Sequence, residues 1–228
     1  MDDKLKGIVP IKEPTQMEAV FSGLYASAPQ PLPFAPSLDM RAFLLQRMQG
    51  NLLVYSVSKF EFDTPIVQNL GGIIRQYLNH WHEAMFVSDR VDAPLFCHEN
   101  ERKWVTEKTQ VSETFSTRHQ LDDNFEVIPT PGHTSGATAF LWNNGEHRFL
   151  FTSDTIYLNE GEWVAAVLES SDRAAYIKSL ELLRELDFDV LVPWIATHGQ
   201  SYYAMADKLD AQRRIGMILD RVRRGEDR

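Results

Sequence analysis

Apolar and polar residues along this chain alternate in two rhythms. Short apolar runs bounded by Gly, Pro or Asn predict strands, and longer stretches with apolar residues at helical spacing predict helices. The run "GIIRQYL" (72–78) follows Gly71-Gly72 and reads as a short buried strand that opens into a loop at Asn79. "RAFLLQR" and "NLLVYS" are joined by "MQG", a hairpin with Gly50 in its turn, and "TAFLW" and "HRFLFTSD" are joined by "NNGE", where Asn-Gly is a strong hairpin signal. Side by side, "AFLLQRMQGNLLVYS" and "AFLWNNGEHRFLFTSD" read as two copies of one hairpin, which predicts a two-layered fold built from two related halves. Helices are predicted at 64–70, where Thr64 caps and Pro65 takes the first helical position, at 172–186 and at about 203–224. The strand "FDVLVPW" follows the second helix directly, and the Pro-rich "SAPQPLPFAPS" (27–37) reads as a loop packed on the body.

Length and charge narrow the picture. At 228 residues, 43% of them hydrophobic and 24% charged, residues 1–228 are expected to form a single domain with one substantial core. No apolar stretch approaches the roughly 18–20 residues that span a bilayer, and "MDDKLKGIVPIKEP" has neither an apolar centre nor a cleavage site for export. With the single cysteine Cys97 excluding an internal disulfide, a cytoplasmic location is expected. A net charge of −9 argues against nucleic acid as a partner, and no membrane partner is expected; a small-molecule substrate is. The one basic cluster, "RRIGMILDRVRR", interleaves its arginines with Ile215, Ile218, Leu219 and Val222 at helical spacing, the pattern of an amphipathic helix with a solvated face.

The candidate chemistry lies at strand ends. His80 and His82 follow the strand ending at Leu78, His133 follows "FEVIPT" across Pro131-Gly132, Asp154 ends "FLFTS", and His198 lies just past "VLVPW". α/β folds place ligands beyond the carboxyl ends of their strands. Residues two apart face one side of an extended chain but lie far apart around a helix, so His80 and His82 are expected to share a metal only if their stretch is extended, and Glu83 then points away from both. The other residues have plainer readings: His98 caps a helix or fills a structural pocket, Cys97 is a small buried hydrophobe, and His119 and His147 sit at the surface. Trp81 is expected to point away from the metal. Trp163, Trp194, Tyr157, Tyr202 and Tyr203 are core or pocket wall.

The order "HWH", "TPGHTSGATAFLW", "FTSDTIY" resembles the metallo-β-lactamase fold superfamily over residues 40–200, with "TPGHTSGA" its most specific piece. The resemblance implies an α/β fold, an αββα sandwich of two mixed β-sheets flanked by helices, with a metal site along one edge. It implies that His80, His82 and His133 hold the first metal and that Asp154 matches the bridging carboxylate. The chain departs from that pattern where Ala84 and Met85 replace the Asp and His of the H-x-H-x-D-H motif, which removes the second metal site. Matching the last histidine of the family to His198 requires extra residues before the "HG" of "VPWIATHG"; without them Ile195 takes the position. In the "GDT" element Ser153 replaces Gly, a change not expected to move Asp154.

Three readings follow. Three imidazoles with an open position describe one catalytic divalent zinc in a hydrolase of an ester, lactone, thioester or similar small substrate, with Asp154 and His198 as catalytic residues. His80, His133 and Asp154 alone form a two-histidine, one-carboxylate set suited to iron, similar to the persulfide dioxygenases of the superfamily. The third is a non-catalytic member with a relic site, to which the loss at Ala84 and Met85 points.

Overall fold

The computed structural model describes residues 16–227. The reading of residues 1–14 as free of an export signal lies outside them. Seven strands form the first sheet, in the order Glu18–Phe21, Leu24–Ala26, Phe43–Leu45, Leu52–Val54, Arg75–Tyr77, Leu95–His98 and Glu113–Phe115. The second sheet runs His119–Asp122, Phe125–Pro129, Thr138–Asn143, Arg148–Phe151, Val190–Val192 and Ala204–Met205. Alternation explains the layering, because successive side chains on a strand face opposite sides. Phe149 and Phe151 face the first sheet, while Leu150 between them faces the helices Arg173–Glu185 and Lys208–Arg223. Tyr77 meets Phe125 and Phe140 across the sandwich at ring distances of 5.4 and 5.3 Å. On the far face of the first sheet, Leu78, Leu95 and Cys97 pack with Ala84 and Val105, which come from a 3₁₀ segment Trp81–Phe86 and a short helix Arg102–Val105. The order of layers is αββα.

The two predicted hairpins form and behave alike. Leu44 pairs with Leu53 in one and Leu141 with Leu150 in the other, and each hairpin gains its next strand in parallel, Leu53 beside Gln76 and Leu150 beside Leu191. The halves are bonded to each other at one end. The Tyr55 hydroxyl donates to the Val192 carbonyl at 2.7 Å and accepts from the Ser153 amide at 2.9 Å, and the Trp194 indole donates to the Ser56 carbonyl at 2.9 Å. A third, five-stranded sheet, Glu162–Val164, Tyr157–Asn159, Ile195–Thr197, Ala35–Met40 and Gln30–Leu32, flanks that end.

Three local readings are corrected. Residues 27–37 are not all loop, since Gln30–Leu32 pairs antiparallel with Ala35–Met40; Pro31 is tolerated because its strand lies at the sheet edge, where no ladder donor is required. The C-terminal helix begins at Lys208 rather than 203, because Ala204–Met205 pairs with Val190 and Leu191 first. Thr64 does not cap: its hydroxyl donates to the Phe60 carbonyl, and Asp63 takes the cap position. Asp207 starts the last helix, its carboxylate accepting from the Asp210 amide at 2.8 Å. Replacing Asp207 by Ala is expected to cost about 1 kcal/mol, read as a lower midpoint in urea with an unchanged slope.

Candidate metal centre

Each candidate ligand is delivered by its own piece of local structure. His80 is extended (φ −155°, ψ 168°) and stands at the start of the 3₁₀ turn Trp81–Phe86, while His82 lies inside that turn. The stretch is therefore not extended throughout as expected. The two rings converge, at 4.8 Å between centroids, because the chain bends immediately after His80. The same bend reverses the expectation for Glu83, which returns to accept from His80 Nδ1 at 3.1 Å, Ser153 Oγ at 2.7 Å and the Asn79 amide at 3.2 Å. Trp81 does not enter the main core; half-buried, it lies 4.1 Å from the His82 ring and 5.9 Å from Trp104.

His133 follows a turn that only glycine can make there. Gly132 has φ +144°, and a Cβ on it would sit 2.4 Å from the Tyr176 Cα. The loop is held against the helix that follows by Asp172 N donating to the Gly132 carbonyl at 2.9 Å and Ser179 Oγ donating to the Pro131 carbonyl at 2.7 Å. Asp154 follows Ser153, which occupies the left-handed region at φ 47°. That conformation is unfavourable for a non-glycine residue. It is held by the Tyr55 and Glu83 contacts at both ends of Ser153.

The four groups come together. One nitrogen each from His80, His82 and His133 and one oxygen of Asp154 all lie within 4.8 Å of one another. Asp154 Oδ2 is 3.4 Å from His80 Nε2 and 3.6 Å from His133 Nε2, and His82 Nδ1 is 3.1 Å from His133 Nε2. Ligands roughly 2.0–2.1 Å from a tetrahedral ion stand roughly 3.3–3.4 Å apart, so these separations bracket the requirement of zinc. Tautomers agree with it. His80 Nδ1–H donates to Glu83 and His133 Nδ1–H to the Ala166 carbonyl at 2.7 Å, which turns both Nε2 lone pairs inward. His80 Nε2 and Asp154 Oδ1 are buried and make no hydrogen bond, as atoms reserved for a cation would be.

Electrostatics separates the three histidines. Burial, reinforced by repulsion from His80, lowers His82 to about 3 and His133 to about 4, leaving both neutral at physiological pH. Burial also acts to lower His80, but Asp154 and Glu83 outweigh it and raise the group to about 10. Burial opposes ionisation of Asp154, and the histidines, His80 foremost, overcome it and keep its pKa below the usual value. A metal must displace the His80 proton. Zinc uptake by stripped protein is expected to release one proton per ion and to tighten close to tenfold per pH unit over roughly pH 6 to 8, below the His80 value, as calorimetry in buffers of different ionisation enthalpy will show. Glu83→Gln is expected to weaken metal binding by about 10–100-fold with the fold retained, because the amide loses the charge that orients His80 and sets an N–H against the Asn79 amide; chelator competition measures it.

Not every candidate joins the group. His198 is exposed and pairs through Nδ1 with Asp39 at 3.0 Å, outside the cluster. Its backbone bond to Ser37 continues the pairing of Ile195–Thr197 with Ala35–Met40 and carries it to the surface. Ile195 lines the cleft beside His82, His133 and Asp154 instead. Ala84 is buried in the small apolar cluster and Met85 is exposed, and neither supplies a ligand atom. His98 caps the 3₁₀ turn Glu99–Glu101 by accepting from the Asn100 amide, Cys97 is buried with its thiol pushed up to about 12, and Tyr157 and Trp194 line the cleft. Glu101 carried no signal in the sequence. It is buried, and its carboxylate accepts from the Trp81 amide at 2.7 Å and the Gly136 amide at 2.6 Å, joining the segment that bears His82 to the loop that bears His133.

The family profile described as the metallo-beta-lactamase superfamily matches residues 78–193, from just before His80 to past Asp154. The chain belongs to this superfamily. Solved structures agree on the fold. A metallo-β-lactamase from Cronobacter sakazakii superposes with a TM-score of 0.66 at 13% identity, covering 92% of this chain and 97% of that one. One from Pontibacter korlensis gives 0.64 at 16%, covering 91% and 98%. ETHE1 from Myxococcus xanthus gives 0.59 at 15%, covering 81% and 85%. A curated relative, a flavin-dependent thymidylate synthase from Ruegeria pomeroyi, is 31% identical over 110 residues. That match takes in 46% of this chain and 32% of the relative, so the chain spans about a third of its length.

Proposed function

We propose that the protein is a mononuclear, metal-dependent hydrolase of a small ester, lactone or thioester, with one zinc held by His80, His82, His133 and Asp154. The observation that carries this reading is the convergence of three imidazole nitrogens and one carboxylate oxygen within 4.8 Å, with the tautomers of His80 and His133 set by Glu83 and Ala166. A zinc held there supplies Lewis acidity and a water whose pKa falls towards about 7. Asp154 keeps Oδ2 towards His80 and His133, so its carboxylate would hold the ion through one oxygen and leave the other to accept a proton from water. Trp194 and Ile195 keep bulk water from one side of the group. His82 completes a three-histidine set at 3.1 Å from His133, which favours zinc over the two-histidine, one-carboxylate arrangement suited to iron. With Ala84 and Met85 in place of ligands, one metal per chain is the expected count.

The setting of this reading is a reducing cytoplasm with a small-molecule partner, supported by the single buried cysteine, the net charge of −9 and the fact that no helix of the described residues is long and apolar enough to cross a membrane. Elemental analysis of protein purified without added metal is the first test: one zinc is expected, and one iron would transfer the protein to the oxidoreductase reading. Zinc-loaded protein is then assayed on ester, lactone, thioester and phosphodiester panels, with and without Asp154→Asn. Full occupancy with no turnover on any of them would sink the hydrolase assignment and leave a binding role.

A further inference from the structure

The cleft above the ligands has a volume of about 520 Å³, within the range of small-molecule sites. His82, His133 and Asp154 form its polar end, and Leu32, Phe34, Val167, Leu168, Trp194 and Ile195 form its walls. Phe34 is 69% exposed and Leu168 42%, large apolar side chains left to water where a bound molecule would cover them. Among the described residues that line the cleft there is no lysine or arginine. Its one carboxylate beyond the metal ligands, Asp227, is bonded to Arg173, and that guanidinium also donates to the Val222 and Glu226 carbonyls. Neither charge is left to pair with a ligand. The net charge of −9 adds a field that disfavours anions.

We propose that this cleft selects uncharged substrates carrying an apolar group, an acyl chain or aromatic ring laid against Phe34 and Leu168, with the reacting carbonyl turned towards His82, His133 and Asp154. The word substrate rests on the hydrolase reading; the selection for neutral apolar molecules rests on the walls alone. An anionic group laid against these walls, away from the ligand end, would be desolvated with no lysine or arginine to meet it. Ile195 extends the apolar wall to the edge of the ligand cluster, so the hydrocarbon and the reacting group lie in one continuous cleft.

Two fluorescent probes of one skeleton test the selection in zinc-loaded protein: neutral N-phenylnaphthylamine and the corresponding anilinonaphthalene sulfonate. The neutral probe is expected to bind at least about tenfold more tightly. Leu168→Lys, a change at a half-exposed position, is expected to weaken the neutral probe and strengthen the sulfonate, and Phe34→Ala to weaken the neutral probe alone. Equal or tighter binding of the sulfonate would overturn the proposal, as would variants that leave the neutral probe unaffected. A parallel series of neutral nitrophenyl esters of increasing acyl length is expected to show kcat/KM rising with chain length. If no ester is turned over while probe binding still responds to Leu168→Lys and Phe34→Ala, the hydrolase reading fails and the selectivity stands.

Discussion

Replacing His133 by Ala is expected to abolish tight metal binding while leaving a folded protein. The loss should exceed the 10–100-fold that removal of an orienting partner costs, because a ligand itself is gone. His133 is central to the group: its Nε2 lies 3.1 Å from His82 Nδ1 and 3.6 Å from Asp154 Oδ2. Without it, His80 and Asp154 remain on one side and His82 on the other, too few donors for zinc's four-coordinate preference. The fold should survive, since the loop is held by the Asp172 amide and the Ser179 hydroxyl, which donate to loop carbonyls and do not involve the imidazole. Metal analysis after dialysis against a weak chelator, with circular dichroism as the folding control, reads the outcome. Undiminished metal content would show that the ligands are misassigned.

The legible parts of this molecule are those in which one local signal suffices. Both hairpins carry their turn residues beside apolar runs, and their internal similarity foreshadowed the repeated architecture, Leu44 opposite Leu53 and Leu141 opposite Leu150. His80, His82, His133 and Asp154 were legible as a set because each follows a strand, and strand ends of both halves meet at one edge of the sandwich. What spacing could not supply was the path of the backbone between them. Period-two reasoning treated residues 80–83 as extended, and the 3₁₀ bend at Trp81 turned Glu83 from an outward carboxylate into the partner of His80. His198 was drawn in by its place after an apolar run, but the strand Ile195–Thr197 belongs to the smaller sheet and leads to the surface.

Residues that act through the backbone were the least visible. Tyr55 and Ser153 lie almost a hundred positions apart, and only the superposition of the two halves brings the tyrosine hydroxyl to the Ser153 amide. Ser153 stands where the resemblance expected Gly, in a left-handed conformation that glycine adopts without strain. At this position the chain carries a hydroxyl, and it donates to Glu83. The departure from the family pattern thus supplies a contact behind the ligands.

Glu101 is the extreme case, and Glu101→Ala is expected to be among the most damaging single changes in the protein. Glu101 is 1% exposed, and its carboxylate satisfies two backbone donors that no strand or helix serves, the part-buried amide of Trp81 and the buried amide of Gly136. Leaving a buried donor without a partner costs about 1–3 kcal/mol, the loss expected at Gly136, and the part-buried Trp81 amide adds a smaller one, before any cavity is counted. The fit is tight on the other side as well, since a Cβ on Gly136 would lie 2.7 Å from the Glu101 Cγ. Glu101→Gln separates the contributions: its oxygen still accepts from one amide, but its nitrogen opposes the other, so about half the loss is expected. Because the two amides belong to the segments carrying His82 and His133, the damage should reach the metal even in variants that stay folded. Denaturant midpoints of metal-free protein should fall in the order wild type, Gln, Ala, and zinc affinity should follow the same order. If stability falls while zinc affinity holds, Glu101 supports the fold alone and the two ligand segments are fixed by other contacts.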